Sequence, residues 1–390
     1  MSNNKVGQYA LKTLIGIFVI LLLGVIGLVA TGHKYILTAV SRTYFDGHST
    51  ANIDDYTAFE TRVIPAANFQ PWQLHEGYKL NALPSDFASH LESNDGVAFL
   101  VIQNGKLLAE QYFAGYGPKS KTNSFSMMKT VVTLLLGIAI EEGYIKGLDQ
   151  PLIDFLPEFK EDENGQHATI GSLSTMTSGY EWDENYYSPF SPTVELLYGD
   201  DVENFLLKGK FSKPAESDYY YSSASTQLLA IAITRALQKR DPAATLSGYL
   251  SEKIWKPLGM NDDALWHLDN NKMELAYCCL NTNARNYAKL GQLMLQDGNW
   301  DEQQLVPSAF AKLMYTPHTV ANYGYSTWIN NDHQPNYYLF RGHLGQYIIV
   351  IPEHNLVVVR LGKTRGDGES DVDGMINRYV DEAVELISGK

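Results

Sequence analysis

A serine and a lysine three residues apart stand at the start of an unusually apolar helical segment. Ser126 begins the tetrapeptide Ser-Met-Met-Lys, which ends at Lys129 and leads into the run MMKTVVTLLLGIAIEE, stopped by Gly143. At this spacing on a helix two side chains share one face, with Cβ atoms about 5–6 Å apart. A lysine held against a buried helix is desolvated, which lowers its pKa and allows it to act as a base. Because the unpaired amides of the first helical turn can stabilise an oxyanion, the pattern predicts a serine nucleophile with a lysine partner.

The same tetrapeptide also has structural explanations. It recurs at residues 2–5 as Ser-Asn-Asn-Lys, in a tail ahead of an apolar segment, where it is a chance match. Ser126 would serve equally as an ordinary helix N-cap, and Lys129 as a surface charge with its stem along apolar neighbours. Context favours the functional interpretation, because Ser126 stands where a loop meets a helix that is apolar nearly all round and therefore buried.

A tyrosine-rich segment supplies the second element of the predicted site. Residues 218–223 read DYYYSS and precede a helix carrying Leu228 and Leu229. Here the chain resembles the class C β-lactamase-like serine hydrolases, a family of penicillin-recognising enzymes, related esterases and 6-aminohexanoate-dimer hydrolases. In that family a Tyr-x-Asn or Tyr-x-Ser element lies several residues before a paired leucine, which selects Tyr221. Further segments resemble family landmarks in the family's order, within about residues 97–386: PLIDFLPEF at 151–159, TMTSG at 175–179, WKPLGM at 255–260, GHLGQ at 342–346 and Ile-Pro at 351–352.

The resemblance implies three catalytic residues. Ser126 would be the nucleophile that forms an acyl-enzyme, and Lys129 would hold the proton network. Tyr221 would pass a proton from Ser126 to the leaving group and help to activate the deacylating water. A phenol has an ordinary pKa of about 10, so it becomes a usable base only beside a cation such as Lys129. The nearest branch is that of the 6-aminohexanoate-dimer hydrolases, which implies cleavage of a small amide or ester.

The expected substrate contacts depart from those of the penicillin-recognising members. These carry Lys-Thr-Gly on the strand at the edge of the site, whereas residues 340–346 here read FRGHLGQ. Without that lysine a carboxylate on the substrate loses a partner, although Arg341 or His343 could substitute. The Lys-Thr-Arg run at 363–365 follows a later strand and is treated as a chance match. The glycine-bearing edge can donate a backbone amide to the oxyanion, and its predicted substrate contacts are Gly342, His343 and Gly345.

An aromatic loop is expected to cover the cleft. Residues 180–187 read YEWDENYY, and Tyr186 and Tyr187 are the predicted substrate-binding residues in it. An ordinary surface loop explains the segment equally well. Asp183 and Glu184 do not resemble a glycosidase pair, because adjacent carboxylates on a loop have no defined separation across a bond.

The remaining elements predict one antiparallel sheet built from both ends of the chain. Val97–Gln103 and Lys106–Phe113 form a strand pair joined by Asn104-Gly105, a type I′ turn signal. Helices are expected near 226–238, 246–255, 283–296 and 372–387, and late strands at 323–329, 337–341, 346–351 and 356–361. The fold class is therefore α+β, β-lactamase/transpeptidase-like, with an antiparallel sheet flanked by helices and an inserted, mainly helical region.

The predicted organisation has three parts. Residues 1–33 form a membrane anchor or signal segment and residues 34–95 an irregular lead-in. Residues 96–390 form the hydrolase domain, with its sheet drawn from 96–125 and 300–390 and its helical region from 126–299.

The N-terminal segment is long enough to cross a bilayer. Thr13–Ala30 contains eighteen residues without a charge, preceded by Lys5 and Lys12. The apolar region of a signal peptide usually has about 7–15 residues, which favours an uncleaved transmembrane helix, although the small residues at 30–32 would permit cleavage. The free amino terminus and the lysines favour an N-terminus on the inside. The catalytic domain is therefore expected outside the cytoplasm, in a periplasmic or extracellular location.

Composition excludes several functions. The 30 Lys and Arg residues against 44 Asp and Glu give a net charge of −14, with no basic stripe of the kind that binds nucleic acid. Ten histidines lack metal-binding spacing, so no catalytic metal and no cofactor are predicted. The adjacent Cys278 and Cys279 are expected to be small buried hydrophobic residues, because a bond between them would be a strained vicinal one, and the sequence leaves their oxidation state open.

The expected partner is a small-molecule amide or ester. Two other functions remain open at this point. One is a D-alanyl-D-alanine carboxypeptidase or β-lactamase of the cell envelope, favoured by location and opposed by the missing Lys-Thr-Gly. The other is a catalytically silent protein that binds envelope fragments, opposed by the presence of Ser126, Lys129 and Tyr221 together.

Overall fold

A computed structural model describes residues 3–48, 50–80, 83–366 and 372–388. The helices are α1 Asn3–Ala30, α2 Lys34–Arg42, α3 Ser85–Ser93, α4 Met127–Glu141, α5 Ile170–Ser174, α6 Pro192–Tyr198, α7 Val202–Leu207, α8 Ser223–Gln238, α9 Leu246–Leu250, α10 Ala284–Leu295, α11 Ser308–Met314 and α12 Val372–Ser388. The strands are β1 Thr61–Ile64, β2 Leu74–Leu80, β3 Gly96–Gln103, β4 Lys106–Tyr112, β5 Thr122–Asn123, β6 Ala264–His267, β7 Leu280–Thr282, β8 Asn299–Trp300, β9 Gln303–Gln304, β10 Trp328–Asn330, β11 Tyr337–Gly342, β12 Gln346–Ile351 and β13 Leu356–Gly362. Short 3₁₀ turns occur at Tyr44–Asp46, Asp55–Ala58, Leu152–Asp154, Pro157–Phe159, Gly165–His167, His343–Gly345 and Pro352–His354, and a π-helical turn at Ser251–Trp255.

The two ends of the chain meet in a seven-stranded sheet of order β10-β11-β12-β13-β3-β4-β2. Its neighbours are antiparallel except for the parallel pair β2–β4. The C-terminal strand β13 lies beside the N-terminal β3, as predicted. Asn104 and Gly105 connect β3 to β4 with positive φ values of 51° and 73°, which is the backbone that a type I′ turn requires. The predicted α+β fold class is confirmed.

The central strands β3, β12 and β13 are buried on both faces. Along β3, Leu100 and Ile102 belong to one hydrophobic cluster and Phe99 and Val101 to another, because successive side chains of a strand point to opposite faces. Helices α4, α8 and α10 contribute to the first cluster, and α3 and α12 to the second. Helix α4, which follows Ser126, lies on the first face, where its contacts include β11 and α8.

The segment 34–95 was expected to be irregular, and that expectation is wrong. It contains α2, β1, β2 and α3. β2 extends the main sheet, and β1 opens a second, four-stranded sheet of order β1-β6-β7-β5. The short amphipathic stretches of this segment pack against distant parts of the chain, so local periodicity does not reveal them. The strands β6 and β7 also lie inside the region expected to be mainly helical.

The strand predicted at residues 323–329 is displaced toward the C-terminus. The structure begins β10 at Trp328, and the preceding residues form a tight turn. Ser326 has a φ of 51°, which an extended strand cannot contain. Tyr323 and Tyr325 are buried in this turn, which explains the apolar pattern that resembled a strand.

The N-terminal helix α1 includes a 24-residue stretch, Gly7–Ala30, that is long and apolar enough to cross a membrane. None of that stretch is buried against the rest of the protein. A two-residue turn, Thr31-Gly32, follows it, and α2 begins at Lys34. α2 packs on α6, and Lys34 Nζ contacts Asp200 Oδ2 at 3.0 Å, so the helix after the apolar stretch is fixed to the rest of the fold.

Candidate active site

Ser126 and Lys129 meet at the start of α4, as their spacing predicts. Lys129 Nζ donates a hydrogen bond of 3.0 Å to Ser126 Oγ. Ser126 occupies the N-cap position of α4, but its side chain makes no capping hydrogen bond. The two structural explanations for the tetrapeptide therefore do not hold, because Ser126 Oγ does not cap the helix and Lys129 is only 1% exposed.

The backbone of the residue before Ser126 is held in an uncommon conformation. Phe125, the preceding residue, has a φ of 44°, which a bulky side chain rarely adopts. Such strain persists only where the surrounding structure over-determines it, and it is concentrated at functional sites. Among the described residues, no acceptor faces the backbone N–H of Ser126. This amide is therefore free to donate to an oxyanion.

Lys129 is buried and has three acceptors. Besides Ser126 Oγ, its Nζ donates to Ser223 Oγ at 3.0 Å and to the carbonyl oxygen of Tyr277 at 3.1 Å. Burial lowers the pKa of Lys129 to about 8, and the negative charge of Glu184 opposes that shift. A lysine with this pKa is a usable base near neutral pH.

Tyr221 lies beside this pair. Lys129 Nζ is 5.1 Å from the centre of the Tyr221 ring, which packs against Tyr323 and Trp328. A cation so close was expected to make the phenol a base. The structure gives the opposite direction: desolvation and the charge of Glu184 raise the pKa of Tyr221, and its hydrogen bond with Ser126 offsets this only in part. Tyr221 is therefore a neutral phenol at rest, suited to donate a proton.

Glu184 and Ser223 join the site without having been predicted. Ser223 Oγ donates to Glu184 Oε1 at 2.5 Å, and Ser223 N donates to Oε2 at 2.7 Å. Trp182 Nε1 and the Tyr186 hydroxyl donate to the same carboxylate at 2.7 and 2.6 Å. The sequence offered one signal for this cluster, the position of Ser223 where Tyr-x-Asn has its asparagine. Nothing in the sequence connected that serine to a carboxylate 39 positions earlier.

The predicted glycine-bearing edge is the end of β11. A Cβ added to Gly342 would lie 2.4 Å from the carbonyl oxygen of Ser124 and 3.4 Å from Met127 Cγ, so only glycine allows β11 this close to the start of α4. β10 pairs with β11 only as far as Leu339. Within the described residues, positions 340–342 have no partner strand on the side away from β12. Their backbone is thus available for a second oxyanion donor.

The other two predicted contacts, His343 and Gly345, lie in the turn after β11 and have different surroundings. The His343 ring stacks on Tyr186, with centroids 5.1 Å apart, and meets Phe125 edge-on at 5.5 Å. Burial lowers the pKa of His343 to about 4, so the ring is neutral at pH 7. Gly345 has a φ of 78°, and its missing Cβ faces Arg360 and the carbonyl of Thr364 instead of the cleft.

Two arginines lie near the site. Arg341 was named as a possible substitute for the missing lysine, and Arg365 belongs to the Lys-Thr-Arg run that was treated as a chance match. The guanidinium of Arg341 lies over the Trp328 ring and pairs with Asp373 at 3.4 Å, so it is already engaged. Burial lowers the pKa of His343 and the charge of Arg365 adds to that shift, whereas burial raises the pKa of Tyr186 and the same charge opposes the rise. Arg365, in a run treated as a chance match, therefore acts electrostatically on the site.

A cavity of about 160 Å³ opens at Ser126. Of the five predicted substrate contacts, Tyr186, Tyr187 and His343 line this cavity, and Gly342 and Gly345 are not among its lining residues. Part of its wall is formed by a disulfide between Cys278 and Cys279, both buried. Both cysteines are small buried residues, as expected, and their oxidation state, which the sequence left open, is that of a vicinal disulfide. Among the described residues no group of three or more His, Cys, Asp and Glu side chains could hold a metal.

Comparison with known proteins identifies the family. The profile of the Beta-lactamase family matches residues 86–381, about three quarters of the chain. This chain belongs to the Beta-lactamase family. It is a serine hydrolase of that family, whose members include amidases, esterases and β-lactamases.

Individual relatives agree with this assignment. The 6-aminohexanoate-dimer hydrolase of Paenarthrobacter ureafaciens is 26% identical over 255 residues, which cover 62% of this chain and 62% of that enzyme. The matched region is thus about three fifths of the relative's length. A Bacillus anthracis structure provisionally named a 6-aminohexanoate-dimer hydrolase superposes with a TM-score of 0.72 at 21% identity, covering 89% of this chain and 94% of that one. A penicillin-binding protein homologue from Caulobacter crescentus has a TM-score of 0.60 at 17% identity, with 78% and 99% covered.

Proposed function

We propose that this Beta-lactamase-family protein cleaves a small amide or ester through an acyl-enzyme on Ser126, with Lys129 as the base. The observation that carries the proposal is the 3.0 Å contact from Lys129 Nζ to Ser126 Oγ, made by an amine whose pKa burial lowers to about 8. At pH 7 roughly one such amine in ten is neutral, since each pKa unit is a tenfold change in the ratio. A neutral amine at this distance can take the serine proton as Oγ attacks the substrate carbonyl.

Tyr221 is the proposed proton donor to the leaving group. When the bond between the carbonyl carbon and the leaving nitrogen or oxygen breaks, the leaving atom takes the phenolic proton. The ammonium of Lys129 then returns a proton to the phenolate, so the enzyme regains its starting protonation state. In deacylation a water attacks the acyl carbon, and the same groups return Ser126 to its hydroxyl form. The raised pKa of Tyr221 supports this role, because a phenol that stays neutral retains the proton it must give.

Two backbone elements are proposed to stabilise the oxyanion. One is the free N–H of Ser126 at the start of α4. The other is an N–H of the unpaired edge at positions 340–342, which Gly342 allows to approach the loop before Ser126. Removal of one donor from a pair of this kind typically costs about 10²–10³ in kcat.

The envelope carboxypeptidase or β-lactamase alternative has less support. Such substrates carry a carboxylate, yet His343 is neutral at pH 7 and Arg341 is paired with Asp373. The silent binding protein has less support still, because a protein without chemistry has no need to bury Lys129 beside a serine at a cost in desolvation.

We also propose that α1 anchors the chain in a membrane, with the hydrolase domain outside the cytoplasm. The exposed apolar stretch Gly7–Ala30 supports this, as do Lys5 and Lys12 near its N-terminal end. A secretory signal sequence is the competing interpretation of the same helix. Intact mass of the mature protein from membranes distinguishes the two, since cleavage would remove the segment.

The test of the reaction uses the full chain in lipid nanodiscs. It is exposed separately to a fluorophosphonate and to penicillin, and intact mass is measured for the wild type, Ser126→Ala and Ser89→Ala, a control at an exposed serine on α3. We expect a phosphonate adduct in the wild type and in Ser89→Ala that is lost in Ser126→Ala. A penicillin adduct would favour the carboxypeptidase or β-lactamase. A folded wild type that reacts with neither reagent would overturn the mechanism and favour the binding protein.

A further inference from the structure

The cavity at Ser126 is enclosed on one side by the helix that follows the apolar N-terminal stretch. Ile36, Ala39 and Val40 of α2 line it at positions i, i+3 and i+4, so one face of this helix forms a wall. Val194 and Leu197 of α6 form the facing wall. Ser126 lines the same cavity, so the nucleophile borders a slot whose walls include these two apolar helical faces.

The slot offers little to a polar ligand. No Asp, Glu, Lys or Arg is among the described residues that line it, and its one histidine, His343, is neutral because burial lowers its pKa to about 4. Its threonine hydroxyls already donate: Thr43 to the carbonyl of Ala39 and Thr193 to that of Asp183, each at 2.7 Å, and Thr50 to that of Ala51 at 3.1 Å. The buried hydroxyl of Tyr277 has no hydrogen-bond partner among the described residues. An ionic group in the slot would therefore lose its water without gaining an oppositely charged side chain among the described lining residues, which is costly.

The position of Tyr221 indicates which half of the substrate occupies the slot. Tyr221 contacts Ser126 but is absent from the described residues that line the slot. If Tyr221 protonates the leaving group, the leaving group lies on the Tyr221 side of Ser126. The acyl group then extends in the other direction, between α2 and α6.

We propose that the substrate is an ester or amide whose acyl group is an uncharged apolar chain, held in the slot between α2 and α6. This rests on the proposed function, because it assumes acylation of Ser126. The rim of the slot fits such a substrate. Tyr44 and Tyr187 line the slot and are 63% and 65% exposed, and aromatic rings of this kind are enriched where proteins meet a membrane surface. Since α2 begins four residues after Ala30, the slot lies near the end of the proposed anchor, where amphiphilic acyl compounds concentrate.

The test measures kcat/KM for p-nitrophenyl acetate, butanoate, hexanoate and octanoate with the full chain in nanodiscs, each divided by the rate with hydroxide. Complete burial of one methylene contributes about fourfold, so even partial burial predicts a rise of at least about tenfold from acetate to octanoate. The 6-aminohexanoate ester is the charged counterpart of the hexanoate ester. We expect hexanoate to exceed it by at least about tenfold, because no carboxylate is among the described residues that line the slot.

Variants locate the effect in the slot. Ala39→Phe fills it from α2, and we expect the advantage of octanoate over acetate to fall to about twofold or less. Ser41→Phe places the same ring on the exposed side of α2 and should leave the series unchanged. Val194→Phe fills the slot from α6, and it provides the same comparison if Ala39→Phe does not fold.

The outcomes separate this proposal from the proposed function. Suppose that fluorophosphonate labels Ser126 but the chain-length series is flat or falling. That result would overturn the apolar acyl slot and leave the proposed hydrolase function intact. Labelling with equal turnover of the hexanoate and 6-aminohexanoate esters would have the same meaning. An equal loss of octanoate preference in Ser41→Phe and Ala39→Phe would also overturn it. Absence of both labelling and turnover with every ester would overturn the proposed function and this proposal with it.

Discussion

The hydroxyl of Ser223 lies 2.5 Å from Glu184 Oε1 and at the same time accepts a hydrogen bond from Lys129 Nζ at 3.0 Å. A hydroxyl that donates to a carboxylate presents its lone pairs to the ammonium, so Ser223 connects a buried cation to a carboxylate. The charge of Glu184 raises the pKa of Lys129, against the larger lowering by burial. Glu184 therefore sets the pKa of the proposed base and positions Ser223 without contacting the reacting atoms.

The first prediction concerns Glu184→Gln. Removal of the negative charge should lower the pKa of Lys129, so more of the amine is neutral at a given pH. The acidic limb of the pH profile of kcat/KM, which is expected near pH 8 in the wild type, should therefore move to lower pH. The maximal kcat/KM should fall about fivefold, since glutamine cannot accept all four hydrogen bonds. A pH profile of kcat/KM measures both effects. Glu181→Gln is the control, because Glu181 is exposed and pairs with Lys210. An acidic limb that stays in place or moves to higher pH would exclude this role.

The second prediction concerns the pH dependence of stability. The pKa of Lys129 is about 8 in the folded protein and 10.5 ordinarily, so the unfolded chain binds more protons between these values and stability rises with pH there. Between pH 7.5 and 9.5 this amounts to about 2 kcal/mol for one group. Lys129→Met should lack that increment, so its free energy of unfolding relative to the wild type should fall by about 2 kcal/mol over the interval. Urea titrations at both pH values measure it. A constant difference would mean that Lys129 is not a depressed amine.

The parts of the site that the sequence predicted are local ones. Ser126 and Lys129 share a helical face at i, i+3, and Asn104-Gly105 marks a two-residue hairpin, so each follows from a few neighbouring residues. The structure confirms both predictions: Lys129 Nζ is hydrogen-bonded to Ser126 Oγ, and Asn104 and Gly105 have positive φ values. The assignment of Tyr221 came from family resemblance, and the structure places it beside Ser126.

The parts that the sequence did not predict depend on contacts across the chain. Glu184 reaches Ser223 over 39 positions, and α2 forms a wall of the cavity more than 80 residues before Ser126. No local periodicity encodes such contacts, because they arise only when the fold brings separate elements together. The expectation that Lys129 would lower the pKa of Tyr221 was wrong for the same reason. Burial and a carboxylate from another loop outweigh the neighbouring cation.

The third prediction separates two buried lysines. Lys289 is 2% exposed, and its Nζ donates to the carbonyls of Gln70, Leu258 and Gly259 at 2.5–2.8 Å. It therefore connects the segment before β2, which holds Gln70, to the residues that follow the π-helical turn at Ser251–Trp255. Lys289→Met should destabilise the fold by about 2–4 kcal/mol, because three carbonyls lose their donor. It should leave kcat of the folded enzyme within about twofold, whereas Lys129→Met should abolish turnover. Denaturant titration with kinetics under native conditions measures both. A loss of kcat in folded Lys289→Met would contradict the structural role.

The fourth prediction concerns the approach of β11 to the nucleophile. A Cβ at Gly342 would lie 2.4 Å from the backbone oxygen of Ser124, and backbone on both sides must move to relieve that contact. Because the displaced segments carry both proposed oxyanion donors, Gly342→Ala should lower kcat at least about tenfold. The cost in stability should be about 1–3 kcal/mol. Gly147→Ala is the matched control, since nothing lies within 4 Å of its added Cβ. If kcat of Gly342→Ala equals that of Gly147→Ala, the edge at positions 340–342 does not hold the oxyanion, and the second donor must come from another part of the cleft.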